Sequence, residues 1–346
     1  NSGVYSQPSV ESILQPQFIG RNGYQLRDVT RLSDQYTASQ NLLAYYGKLD
    51  LLSYDRVNIT GGLRWEDNDQ RVNTFLNGQP TTARLNRIDM LPSAVVTVFL
   101  TDKQQLRAGF SQTLSRPDFR ELAAAPFFDM NTNQETIGNP KLKQTAITNW
   151  DLRWEYYLSP TENIFAGFFW KDLTNPIELV AQPGSGALNT YQNVDKATVY
   201  GFEWEILKKL DFVHPLLENF YVGGNYTWSQ SNVKLTAQNL IAQTTNNRPL
   251  QGHSEHIVNF QLGYDNPKWK TQATLLYNIS SERIVAAGRQ QIPDKYEQPF
   301  HQLDFVFSQN LYKGLSTQLS AQNLLDDDVL ILQGDEISRQ FRRGRF

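Results

Sequence analysis

The chain has 346 residues, with 32 Lys plus Arg against 35 Asp plus Glu, a net charge of −3, and no cysteine. Near-neutral charge with scattered bases removes the electrostatic case for nucleic acid, and the missing thiols remove cysteine catalysis, disulfides and thiolate metal sites. With 40% hydrophobic and 12% aromatic residues and a mean hydropathy of −0.50, no run approaches the roughly 20 apolar residues of a membrane helix, so any membrane span has to be sought at a period of two.

The opening "NSGVYSQPSV" lacks the charged, apolar and cleavage regions of a secretory signal, and residues 1–35 are expected to form an extracellular loop or irregular lead-in. From Tyr36 a train of long alternating stretches begins, with strands expected near 36–52, 56–74, 86–101, 104–117, 144–159 and 162–181. It continues near 190–209, 217–234, 251–265, 268–284, 297–311 and 314–331. In "TNWDLRWEYYLS" (148–159), Trp150, Leu152, Trp154, Tyr156 and Leu158 share one face, and Asn149, Asp151, Arg153 and Glu155 share the other. Val57, Ile59, Leu63 and Trp65 alternate in the same way with Asn58, Thr60, Arg64 and Glu66, as do Phe220, Val222, Tyr226 and Trp228 with Asn225, Thr227 and Ser229.

These stretches exceed the 5 to 6 residues or so of an average strand. Their connections are sorted by parity. Short turns at "SYD", "TDK", "SPTEN", "DNPK" and "NLYKG" alternate with long excursions around 75–85, 118–143, 182–189, 235–250, 285–296 and 326–337. Short turns at one rim and long loops at the other describe an outer-membrane barrel, with the apolar file in lipid and the charged file in a watery lumen. The expected fold is all-β: an antiparallel transmembrane β-barrel over residues 36–346, partial, with about 12 strands and the start of a closing strand of a larger barrel. Closure in lipid then requires further strands beyond both ends.

At "GLRWEDN" (62–68), "LTDKQQLRAGFSQTLSRPDFREL" (100–122), "GNPKLKQTAITNWDLRWEYY" (138–157), "NPIE" (175–178), "VYGFEWE" (199–205) and "AQNLLDDD" (321–328), the chain resembles the C-terminal part of the barrel of TonB-dependent outer-membrane receptors. The "SRPDFREL" and "GNPKLK" segments resemble the subgroup that carries a carboxypeptidase-regulatory-like N-terminal domain. The resemblance implies a barrel of 22 strands with a plug, placed in the outer membrane of a Gram-negative bacterium and worked by the TonB system through a segment absent from this chain. It implies energised uptake of a scarce solute. The alternative is a non-transporting scaffold barrel in a surface assembly, with a surface lipoprotein as a candidate partner.

The charged residues Arg64, Glu66, Asp151, Arg153, Glu155, Glu203 and Glu205 are expected to face the lumen. The plain reading makes them ion pairs within the wall or toward a plug, and the sharper one a path for a charged ligand. Phe127, Phe128, Asp129, Asn131 and Asn133 fall in the long 118–143 excursion, where exposed aromatics beside amides can hold a ligand or a partner. In "GHSEH", His253 and His256 stand three apart and leave opposite faces of a strand, which argues against a shared metal. Tryptophans near strand ends read as interfacial girdles. No nucleophile elbow, phosphate loop or zinc-helix motif occurs, so neither enzyme activity nor a cofactor is expected.

Overall fold

The alternating stretches form long paired strands in the computed structural model, which describes residues 31–53, 56–76, 78–129, 134–181, 188–235, 247–288 and 292–342 with Gln15, Pro16, Gly20 and Gln25. Four long strands come first: β1 (Thr37–Ser53), β2 (Val57–Leu76), β3 (Gln79–Thr101) and β4 (Gln104–Ser115). A helical turn at Phe119–Leu122 leads to a small hairpin of β5 (Pro126–Asp129) and β6 (Gln134–Ile137). Two further long strands, β7 (Thr145–Ser159) and β8 (Glu162–Thr174), precede the short β9 (Ile177–Ala181) and β10 (Leu188–Asn193). Next come β11 (Lys196–Lys209), β12 (Phe220–Lys234), β13 (His256–Asn266), β14 (Thr271–Ser280), the short β15 (Arg283–Ala286) and β16 (Lys295–Glu297), and β17 (Phe300–Asn310). The last three are β18 (Ser316–Ala321), β19 (Asp328–Gln333) and β20 (Glu336–Arg342).

Twelve of these make one antiparallel sheet in the order β1-β2-β3-β4-β7-β8-β11-β12-β13-β14-β17-β18, matching the twelve expected stretches one for one. Four stretches are shorter than the alternation alone suggests, because each runs past the barrel into a second sheet. The 162–181 stretch breaks at Asn175, which adopts φ 56°, and Pro176, which has no N–H to give a ladder. The 314–331 stretch breaks where Asn323 and Asp326 take positive φ. The 190–209 and 268–284 stretches divide in the same way at 194–195 and 281–282.

The detached pieces build two four-stranded sheets, β5-β6-β10-β9 and β15-β16-β19-β20, joined by a bridge from Val180 to Ala287. All eight strands lie at the long-loop rim and form a collar. Residues 336–342, expected to begin a closing strand, instead pair with β19 in that collar. Arg339 and Arg342 on β20 suit a solvated hairpin and not a lipid-facing file.

The β2–β3 hairpin runs through 20 consecutive residue pairs, roughly 65 Å of strand, about twice a hydrocarbon core, so its upper half stands clear of the membrane. There Val72 and Ala83 pack with Leu122, Ala123, Ala125 and Leu142. This apolar cluster anchors the 118–143 excursion onto the hairpin.

The outward face is apolar and bare. Ala108, Leu152, Phe168, Phe202 and Trp228 stand side by side across five strands, with Leu152 45% and Phe202 41% exposed. No second sheet covers this file among the described residues, and its solvent is lipid. One rung above this file Trp170 stacks on Tyr200 at 5.3 Å, and one rung below it Tyr226 stacks on His256 at 6.0 Å.

Candidate functional site

Directly opposed residues in a ladder share a face, so the pairing register sorts the charged candidates. Arg153 stands opposite Gly167, which stands opposite Glu203, and Glu155 opposite Phe165, which faces Glu205. Asp151 lies one register step above Arg153. Arg64 and Glu66 connect through β3 and β4 to the same side. All seven therefore share one face of the sheet, the one opposite the apolar file.

They fall into two clusters. In the first, Arg64 Nε lies 2.6 Å from Glu66 Oε1, and Arg116 reaches Glu66 Oε2 at 2.6 Å and Asp89 at 3.6 Å. Gln144 Nε2 donates to Asp89 Oδ1 at 2.7 Å, and Gln70 Nε2 to the Pro117 carbonyl at 2.8 Å. Glu66 is 6% exposed, and the cluster ties the "SRPD" and "LKQT" segments to the β2–β3 wall.

In the second, Glu155 is 3% exposed; it lies 3.3 Å from Arg153 and 3.7 Å from Arg107 and accepts hydrogen bonds from Gln105 and from the Tyr157 hydroxyl at 2.8 Å. Arg153 also reaches Glu205 at 3.4 Å and lies over the Phe165 ring at 4.3 Å. Asp151 and Glu203 make no ion pair among the described residues, and each stands opposite a glycine, Gly109 and Gly167.

Arg116, Asp89, Arg107 and Tyr157 complete these clusters and were not anticipated. Arg107 and Tyr157 share the period-two register of the expected files and were legible from it. Arg116 and Asp89 meet only because the excursion folds back on the hairpin, which no local pattern reports.

The loop candidates behave unevenly. Phe127 and Phe128 are 41% and 53% exposed on opposite faces of β5, and the Arg120 guanidinium covers Phe127 at 4.2 Å. Asp129 ends β5 opposite Gln134, while Asn131 and Asn133 lie outside the described residues. In "GHSEH" the two imidazoles part as expected: His253 Nε2 contacts Ser229 Oγ at 2.9 Å, while His256 Nδ1 contacts the Tyr226 hydroxyl at 2.8 Å. Glu255 accepts from the Trp228 indole at 3.2 Å. Burial holds His253 below its ordinary pKa, against a smaller opposing pull from Glu255. No cluster of three or more metal-ligating side chains exists among the described residues.

A meander with lipid outside, ion pairs inside and a collar at one rim is the architecture of a receptor barrel wall, and the family described as "TonB dependent receptor-like, beta-barrel" matches residues 7–324. The chain belongs to this family. Among solved structures, the chain is similar to the ferric-catecholate import receptor Fiu of E. coli K12, with a TM-score of 0.63 at 16% identity over 90% of this chain and 44% of that one. It is also similar to the ferric citrate transporter FecA, at 0.64 and 14% over 90% and 44%, and to the copper transporter OprC, at 0.61 and 18% over 85% and 43%. The chain thus spans less than half the length of each of these receptors. No curated protein matches it in sequence. At these identities the likeness is one of fold, and the TonB-dependent receptor barrel places the chain in the outer membrane.

Proposed function

We propose that the chain forms part of the wall of a TonB-dependent receptor that binds a scarce solute at the collar and admits it through the lumen. The observation that carries this reading is the division of one sheet into a bare apolar face and a face of buried ion pairs. A scaffold facing only lipid and water has no use for carboxylates as enclosed as Glu66 and Glu155. A plug, the TonB system and further barrel strands are the partners this function requires. The family resemblance adds a carboxypeptidase-regulatory-like N-terminal domain as a candidate, and a surface lipoprotein is the partner that the alternative scaffold reading calls for. Residues 1–35 serve in this reading as an extracellular lead-in, and no catalysis is assigned. The solutes named for the similar receptors, ferric catecholate, ferric citrate and copper, belong to those proteins.

Topology tests the reading. The β3–β4 turn carries Lys103 at the short-turn rim, and Phe128 lies in the collar. In intact cells an impermeant maleimide should label Phe128→Cys and spare Lys103→Cys until the outer membrane is opened. Labelling of Lys103→Cys alone would invert the barrel, and labelling of both would remove it from the membrane.

A further inference from the structure

The lumenal face is chemically divided along the sheet. From β2 to β11 it carries Arg64, Glu66, Arg107, Asp151, Arg153, Glu155, Glu203 and Glu205, all but Asp151 and Glu203 held in the ion pairs described above. On β12, β13, β14 and β17 the positions in register with that face hold no Lys or Arg among the described residues. In their place a rung of carboxamides crosses four neighbouring strands, with Asn225 opposite Asn259, Asn259 opposite Asn278, and Asn278 opposite Gln302. Asn259 Nδ2 donates to Asn225 Oδ1 at 2.7 Å, and Asn278 Nδ2 donates to Asn259 Oδ1. Gln302 Nε2 donates to Asp304 Oδ2 at 2.7 Å.

This rung is the continuation of the one that holds Gln105, Glu155 and Glu205, so the charged and uncharged parts stand side by side in the same ladder. A groove of about 410 Å³ runs along the carboxamides, lined by Glu205, Asn225, Asn259, Asn278, Gln302 and Asp304 among others.

We infer that the solute descends along the carboxamide wall of β12 to β17, and that it is an uncharged, hydrogen-bonding molecule and not a polyanion. This inference rests on the receptor reading above. Passage requires sites that bind well enough to admit a solute and weakly enough to release it to the next. Carboxamides repeated at a strand spacing of roughly 4.8 Å meet that condition, since each offers a donor and an acceptor without a charge to be desolvated or unpaired. The ion-paired wall does not, because a solute binding there must break a contact such as that of Arg153 with the buried Glu155. Asp304 flanks the carboxamides and disfavours an anion there, while Glu205 at the other end is already met by Arg153 at 3.4 Å.

The test uses the full-length receptor in energised cells, with single substitutions Asn259→Cys, Asn278→Cys and Gln105→Cys, and Phe128→Cys as a surface control. The probes are an uncharged polyethylene-glycol maleimide and a disulfonated anionic maleimide. Asn259→Cys and Asn278→Cys should react at least 10-fold faster with the uncharged probe than with the anionic one, and a protonophore should abolish that reaction. Gln105→Cys, on the same rung but in the ion-paired wall, should stay unlabelled. Two carboxamide positions are used so that a folding defect at one leaves the other to decide. Equal rates for the two probes, faster reaction at Gln105→Cys, or no reaction at either carboxamide position while Phe128→Cys labels would each overturn the inference. Failure of Phe128→Cys to label would instead sink the receptor topology, and the path with it.

Discussion

Glu178 and Arg248 lie 70 residues apart, yet their side chains, each 1% exposed, meet in two hydrogen bonds of 3.0 and 2.6 Å. Glu178 also accepts from the Gln251 backbone at 3.2 Å, and Gln251 returns a bond to the Leu179 N–H at 2.7 Å. The pair ties β9 of one collar sheet to the 247–252 segment, whose Gln251 side chain donates to the Val285 carbonyl of β15 in the other, beside the Val180–Ala287 bridge. Removing one member of a buried pair strands the other charge, at a cost of about 3–5 kcal/mol. Glu178→Gln should therefore open 177–181 and 247–252 to hydrogen exchange while β7 and β8 stay protected. A Glu178→Met/Arg248→Leu double substitution should recover most of the protection, because it leaves no charge behind. His253 gives the same region a pH dependence. Its pKa is lowered in the folded chain by burial, so its contribution to stability is fully present above the unfolded value of about 6.5 and is lost as pH falls through the folded value. Exchange at 250–256 should rise in mild acid, and His253→Gln should flatten that rise.

At the scale of the strand, the face assigned to each side chain has a direct energetic consequence. Leu152 sits in the bare apolar file and Thr227 in the lumenal one, opposite Glu203. Arg at position 152 should cost about 2–4 kcal/mol near the bilayer midplane, and Arg at position 227 should be tolerated. Equilibrium folding into lipid vesicles measures both, and equal costs would mean the faces are wrongly assigned. Period two also explains what could be read from the sequence alone. Trp150 through Leu158 alternate because one side chain in two meets lipid, and that rule located twelve strands and put the seven charged candidates on one shared face. It did not show where a strand leaves the barrel, since β8 and β9 keep alternating on either side of Asn175 and Pro176. Nor could it pair Arg116 with Glu66 across 50 residues, or Glu178 with Arg248, because those contacts depend on how the collar folds back. The carboxamide rung was hidden for a related reason: Asn225, Asn259, Asn278 and Gln302 are single residues on four strands, and only the register makes them neighbours.

At the scale of the molecule, the described sheet ends in two edges, β1 and β18, which do not pair with each other. A lipid-exposed strand edge leaves N–H and C=O groups without water, each costing several kcal/mol, so both edges need partners. Direction alone would let these two strands meet, since β1 runs toward the short-turn rim and β18 runs away from it. Length does not: β1 has 17 residues and β18 has six, so mutual pairing would leave most of β1 open. The middle and lower parts of β1 carry an apolar file, Leu43, Tyr45, Leu49 and Leu51, with Tyr45 63% and Leu49 62% exposed, which places that part of the open edge at membrane depth. Further strands must therefore cover β1 and β18. The 346-residue chain refolded alone into vesicles should give amides in β1 that exchange freely or become protected only by self-association. Co-refolding with the strands that complete the barrel should protect them. A monodisperse 39.7 kDa species with protected β1 amides would show that the twelve strands close by themselves, and that β1 and β18 pair despite their unequal lengths.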